Sequence, residues 1–260
     1  MQALQQIKNH QIEVVFTDID GTLTKGGRIP PASYTAMWNL FEQGFKVVPV
    51  TGRPAGWCEM IARTWPVEAV IGENGAFWFQ CSGSKMNRFF EQSEQIRGRN
   101  RKKLDLLRDQ ILQEVPGCAV ASDQFGRVSD LAIDFAEDVP PLSKEKIHQI
   151  KHLFENQGAV AKISNIHVNG WFGDFDKSTS CLKFAQKIFG WTKEELRKKA
   201  TFVGDSPNDE PLFQLFDICF GVANLKEFAT DMKHLPTHIA NHDEADGFAE
   251  IAQHLIKFKD

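Results

Sequence analysis

The run Asp18-Ile19-Asp20-Gly21-Thr22 sets two carboxylates two residues apart, just past the end of the apolar stretch 12–16 (IEVVF). Ligands of open α/β sheets bind beyond the carboxyl ends of the strands, and a glycine such as Gly21 lets backbone amides approach an anion closely. Such a pair suits phosphoryl transfer. Asp18 would attack phosphorus as a covalent nucleophile. Asp20 would protonate the leaving oxygen and then deprotonate the attacking water. Asp-Gly is also a common turn pair, so these five residues alone are compatible with an ordinary turn.

Three more chain positions carry matching chemistry. The apolar run 46–50 (KVVPV) ends at Thr51-Gly52-Arg53, where a hydroxyl and a glycine are placed to hold phosphate oxygens. The run 200–203 ends at Gly204-Asp205-Ser206-Pro207-Asn208-Asp209. Its few carboxylates suit a hard cation that keeps several waters and substrate oxygens, as magnesium does. Lys177 opens a helix, where the macrodipole disfavours a cation, and a nearby anion would account for its position. Each has a bland counterpart: an N-cap threonine, a capped turn, a solvent-facing lysine. The force lies in the four occurring together, each at a strand or helix end.

The elements that must position them alternate. Strand-like runs at 12–16, 46–50 and 67–71 are separated by helical stretches at 31–43 and 54–64, the first with proline near its start and Gly44 just past its end. This is the pattern of a doubly wound parallel sheet. Around Ser82 the small polar segment CSGSK reads as a linker, and residues 84–172 carry a different, α+β pattern with helices at 101–115 and 143–157. The first pattern resumes with helices at 177–189 and 192–199, strands at 200–203, 218–222 and 238–240, and a closing helix at 247–258. The chain thus divides into a core, 1–82 and 173–260, and an insert, 83–172. The fold class expected is α/β, a Rossmann-like sheet with an inserted α+β domain.

The order DIDGT, VTGR, a helix-opening lysine and GDSPND resembles the haloacid dehalogenase-like superfamily of phosphohydrolases. The likeness spans the whole core. The insert between TGR and Lys177, with Glu73-Asn74-Gly75-Ala76 before it, is similar to the cap of subgroup IIB, which includes sucrose-phosphate, trehalose-phosphate and mannosyl-phosphoglycerate phosphatases. That resemblance implies a magnesium-dependent phosphatase forming an aspartyl-phosphate on Asp18. It assigns the metal to Asp18, the Asp20 backbone carbonyl and Asp205, supported by Asp209, and phosphate binding to Thr51, Gly52, Lys177 and Asn208. A closing cap would choose the leaving group, with Glu73, Asn74, Ser164, Asn165 and His167 as candidate contacts; a lone strand histidine is more often structural. The subgroup often has glycine after the lysine, where this chain has Ser178.

Two other readings stay open. A phosphomutase of the phosphomannomutase type would run the same chemistry with a second hydroxyl as acceptor, and DIDGTLT resembles that group too. A non-catalytic metabolite- or protein-binding module would sit on the same fold, but would be expected to lose a core carboxylate or the lysine. No GxGxxG follows the first strand, which argues against dinucleotide binding.

Over 260 residues the net charge is −4, which argues against broad nucleic-acid binding. No apolar run nears membrane-span length and residues 1–10 read as polar and helix-like, without a leader. The five scattered cysteines, with no CxxC, suit a reducing compartment. The expectation is a cytoplasmic monomer or homodimer that meets a small phosphorylated metabolite, with no membrane or nucleic-acid partner.

Overall fold

A computed structural model describes residues 1–7 and 9–259. Its central sheet has six parallel strands in the order Gln2–Ala3, His238–Ile239, Cys219–Gly221, Ala200–Gly204, Val14–Thr17, Lys46–Pro49. Val14–Thr17 lies inside the sheet and all four of its residues are buried. Strand side chains alternate between faces, and the two sides pack separately. Val15 and Val47 join Met37, Leu40, Phe248 and Ile251 on one face, while Val14, Phe16 and Val48 join Phe184, Phe202 and Leu212 on the other. Both layers are helical, which explains why these strands read as continuous apolar runs.

The register brings three strand ends to one edge. Phe16 pairs with Val48 and Phe202, and Thr17 with Pro49 and Val203, so Asp18, Thr51 and Asp205 emerge side by side. The helix Lys177–Phe189 starts behind them. Asp176 caps it in a reciprocal capping box with Thr179, and Gly190 ends it at φ 71°. Ser178, in place of the subgroup's usual glycine, donates to Asp176 Oδ1 at 2.8 Å and so reinforces the cap.

The insert carries its own core. A four-stranded antiparallel sheet built from Ala119–Val120, Asp130–Asp134, His167–Trp171 and Val160–Ile163 packs against the helices Glu94–Glu114 and Lys144–Asn156. Leu104, Leu107, Ile111, Ile150 and Phe154 meet Leu131, Ile133 and Val168 between the layers.

Three local readings change. Residues 1–10 are not helix-like overall: Gln2–Ala3 adds a parallel edge strand beside His238–Ile239, followed by the 3-10 turn Leu4–Gln6. CSGSK is not a linker but the turn of a hairpin, Phe77–Ser82 with Lys85–Phe90, with Gly83 at φ 59°. Phe77 and Phe79 stack there with centroids 4.5 Å apart and join the core. The strand Val70–Gly72 leads into this antiparallel hairpin and touches the central sheet through a single bridge, Val50 to Ile71. We accordingly propose that the core extends through residue 90 and the cap begins with the helix capped by Ser93. The basic run at 96–103 lies on that helix. Among the described residues no helix is long and apolar enough to cross a membrane, and all five cysteines are unpaired.

Candidate active site

Lys177 Nζ donates to Asp18 Oδ1 and to Asp209 Oδ1, both at 2.9 Å. Its ammonium is thus held at a helix N-terminus by two anions, as its unfavourable place on the dipole required. Asp209 Oδ2 in turn accepts from the Asp205 amide at 3.2 Å, and Asp205 Oδ1 accepts from the Thr22 hydroxyl at 3.3 Å. Asp18, Asp205 and Asp209 are all buried and can each offer one oxygen within 4.8 Å of the others. Gly21 sits at φ 79°, and a Cβ there would overlap the Asp205 carboxylate. Gly21→Ala should therefore displace Asp205 and, by backbone strain alone, cost about 1–2 kcal/mol. A lowered melting temperature checks this.

Three carboxylates face one ammonium in this buried cluster, so negative charge is in excess. Burial pushes Asp18 up to about 7, against the pull of Lys177, and Asp209 and Asp20 push the same way. Asp205 is driven well above the carboxylate range by burial, then by Asp18 and Asp209. Burial opposes the charge of Lys177, but Asp18 and Asp209 outweigh it and raise its pKa. Hard oxygen donors with uncompensated charge fit a divalent cation, which would restore ionisation of Asp18 and Asp205.

The general-acid candidate stands apart from this cluster. Asp20 is half-exposed and turned to Arg53, whose Nη2 and Nε donate to its two oxygens at 2.8 and 2.9 Å. Arg53 also lies 3.6 Å from Glu137 and 3.9 Å from Asp123, and stacks over Trp57 at 4.5 Å. Two carboxylates two residues apart thus occupy different environments, one buried beside Lys177 and the other paired with Arg53 at the cavity wall.

Residues 15–94 match the model of the haloacid dehalogenase-like hydrolases, and that segment contains Asp18, Asp20 and the Thr51 loop. The match extends over less than half of the chain, so it is a resemblance of that segment to the family. A structure from Thermoplasma acidophilum superposes with TM-score 0.73 at 17% identity, covering 96% of this chain and 100% of that one. The sucrose-phosphatase of Synechocystis, solved with sucrose and phosphate, gives 0.66 at 15% identity, covering 96% and 99%. A subclass IIB sugar phosphatase gives 0.63 at 15% identity, covering 94% and 98%. These likenesses establish a shared fold, sheet and cap together. Among curated proteins no sequence match is found.

The insert and the edge of the sheet that carries Asp18 enclose a cavity of about 310 Å³. Asp18, Asp20, Gly52, Lys177 and Asn208 line it from the core, and Asn74, Ser164, Asn165 and His167 line it too. Thr51 is fully buried behind the wall, where its hydroxyl accepts from the Arg53 amide at 3.1 Å. The Ser164 hydroxyl is spent on its own hairpin, accepting from the His167 amide at 2.9 Å and donating to the His167 carbonyl at 3.0 Å.

Glu73 does not reach the cavity, contrary to its expected substrate contact. It is fully buried, at φ 44°, and accepts from the backbone amides of Ala55 in the core and Val128, Ser129 and Asp130 in the cap. Its neighbour Asn74, at φ 55°, does line the cavity and donates its amide to the Thr51 carbonyl at 3.0 Å.

Sequence reasoning missed Arg127 and Glu137. Arg127 is buried, donates to the Gly52 carbonyl at 2.9 Å, and is matched by Asp123 at 2.9 Å and Asp130 at 3.0 Å. Both sit in irregular cap segments without periodic signal. Arg53 was visible within Thr51-Gly52-Arg53, and its separation from the strand end by two residues was the available clue.

Proposed function

We propose that this chain is a magnesium-dependent phosphatase that hydrolyses a small phosphorylated metabolite, a sugar phosphate, through an aspartyl-phosphate on Asp18. The observation that carries the reading is the split of the carboxylate pair: Asp18 bound to Lys177 in a buried acidic cluster, Asp20 held by Arg53 at the cavity wall. The cavity is at the small end of the ~300–1,000 Å³ typical of small-molecule sites, which favours a metabolite over a macromolecule.

Each residue then has a task. Lys177 anchors one oxygen of Asp18 and supplies positive charge beside the transferring phosphoryl group. An Asp18 oxygen forms the bond to phosphorus as the bond from phosphorus to the leaving oxygen breaks. A proton from Asp20 goes to that leaving oxygen. In the second half, the Asp20 carboxylate takes a proton from water, the water oxygen bonds to phosphorus, and Asp18 departs as carboxylate. Arg53, Gly52 and Asn208 line the space where the substrate must be oriented. Bound through Asp18, Asp205 and the Asp20 carbonyl, with Asp209 behind, magnesium would supply charge neutralisation for the phosphoryl oxygens.

The direct test is p-nitrophenyl phosphate hydrolysis by the purified protein with magnesium, with EDTA, and with Asp205→Asn. Turnover that EDTA abolishes and magnesium restores is expected. The variant should require at least ~10-fold more magnesium, the scale on which metal-site changes act. Turnover that depends instead on an added sugar bisphosphate would identify a mutase. Inactivity of the folded protein toward this ester and toward sugar phosphates would defeat the proposal.

A further inference from the structure

His167 is 3% exposed, yet among the described residues its Nε2 has no hydrogen-bond partner. The nearest charged group is Glu137 Oε2, at 2.9 Å. That approach lies off the direction of a ring hydrogen bond, so the close contact does not satisfy the nitrogen. A buried polar atom left without a partner is unfavourable, and both residues line the cavity beside Asp18. Glu137 is the more open of the two, with a third of its side chain exposed.

Their position relative to the chemistry is defined by Arg53. Its guanidinium holds Asp20 on one side at 2.8 Å and faces Glu137 on the other at 3.6 Å. A leaving oxygen at Asp20 is therefore separated from Glu137 by little more than one guanidinium, a span that a sugar or polyol carbon chain covers. The Glu137 backbone is fixed as well: its amide donates to Asp134 Oδ1 at 2.8 Å.

The buried cations in this part of the cavity already have carboxylate partners. Arg127 is matched by Asp123 and Asp130, Arg53 by Asp20, and Lys177 by Asp18 and Asp209. Among the described residues no buried cation is left over here for a second anion on the leaving group, and Glu137 would repel one. Burial, then Arg127, lowers the pKa of His167, so its imidazole is neutral at neutral pH and can donate to or accept from a hydroxyl.

We propose that Glu137 and His167 form the leaving-group subsite, reading hydroxyl groups of an uncharged sugar or polyol whose phosphate sits at Asp18. This rests on the phosphatase reading and adds the substrate's second half. Glu137 accepts from one or two hydroxyls, and His167 gains through the same hydroxyls the partner it lacks. The closed site leaves both with acceptor and donor capacity that an aryl ester cannot use.

The test measures kcat/KM with magnesium for wild type and Glu137→Gln on p-nitrophenyl phosphate, on glucose 6-phosphate, mannose 6-phosphate and sorbitol 6-phosphate, and on 3-phosphoglycerate. Wild type should prefer a hydroxylated ester over both the aryl ester and the carboxylate-bearing one. Glu137→Gln should lower the ratio of the best hydroxylated ester to p-nitrophenyl phosphate about 10- to 100-fold, the loss of one hydrogen bond to a charged group. His167→Gln should lower the same ratio and supplies the test if the first variant does not fold. An equal fall on every ester would show that Glu137 acts only through Arg53 and overturn the proposal. So would a preference for 3-phosphoglycerate, for which Lys162, the exposed cation on the same cavity wall, would be the reader. Turnover of p-nitrophenyl phosphate with no preference among the rest would sink the subsite and leave the phosphatase standing; no turnover at all would sink both.

Discussion

Asp18→Asn should turn over phosphate esters at least ~10⁴-fold more slowly than wild type while remaining folded. Removal of a covalent nucleophile costs on the order of 10⁶-fold in a well-measured hydrolase, and spontaneous phosphate-ester hydrolysis is slow enough that nothing else compensates. Asparagine keeps an oxygen for Lys177 but cannot form an aspartyl-phosphate. The variant also removes one of three buried carboxylates that share a single ammonium. Asp18 has its pKa raised from 3.8 to about 7 by burial. The folded metal-free protein therefore binds a proton that the unfolded chain has released between those values, and stability falls as pH rises through that window. Asp18→Asn should remove this part of the slope. A melting temperature at or above that of the metal-free wild type at neutral pH, with activity gone, separates lost chemistry from lost folding. Asp20→Asn should behave differently. p-Nitrophenolate leaves without a proton, so a burst of product should precede slow release of phosphate, and the intact protein should carry the mass of one phosphoryl group. Wild-type-like turnover by Asp18→Asn would exclude the covalent route.

The core was legible because its signals are local. The strand Val14–Thr17 is buried on both faces and reads as an uninterrupted apolar run, and the acid pair follows it immediately. Lys177 was readable through a conflict, a cation at a helix start, which the structure resolves with two carboxylates at 2.9 Å. The cap was harder for a physical reason. Its polar groups serve distant partners: Glu73 meets Asp130 across 57 residues, and Arg127 meets Gly52 across 75. Neither partner leaves a periodic trace. Glu137 lies in a loop, and its role depends on Arg53, which reaches it from the other domain. The hairpin at residues 77–90 was hidden by Gly83 and Ser84, residue types that suit a tight turn and a linker alike.

Glu73→Gln should lower the melting temperature by about 10 °C and weaken turnover on every substrate alike. The Glu73 carboxylate accepts from Ser129 at 2.6 Å, Val128 at 2.9 Å, Ala55 at 3.1 Å and Asp130 at 3.2 Å, joining one core amide to three consecutive cap amides. All four of these hydrogen-bond partners are donors. Glutamine would turn an NH₂ group toward N–H groups in a site without water access, and breaking one partner of a buried charged arrangement costs ~3–5 kcal/mol. For a protein of this size each kcal/mol moves the midpoint ~2–4 °C. Burial and Asp130 push Glu73 up, to about 7, while the Val128 and Ser129 amides and Arg127 pull it back. The residue is thus held in charge balance with the arginine that grips the Gly52 carbonyl. Loosening it should disturb the segment Thr51-Gly52-Arg53 from the cap side, through Arg127, and from the core side, through the Glu73 amide on the Arg53 carbonyl at 3.1 Å. Glu59→Gln is the control, since Glu59 pairs with Arg63 and Arg88 at the surface; it should move the midpoint by no more than ~1–2 °C. Equal small shifts for both variants would mean that the amides at 128–130 find other acceptors and that apolar contact alone docks the cap. A large shift for Glu73→Gln alone, with the hexose-to-aryl ratio unchanged, would separate the residue that docks the cap from Glu137 and His167, which face the leaving group.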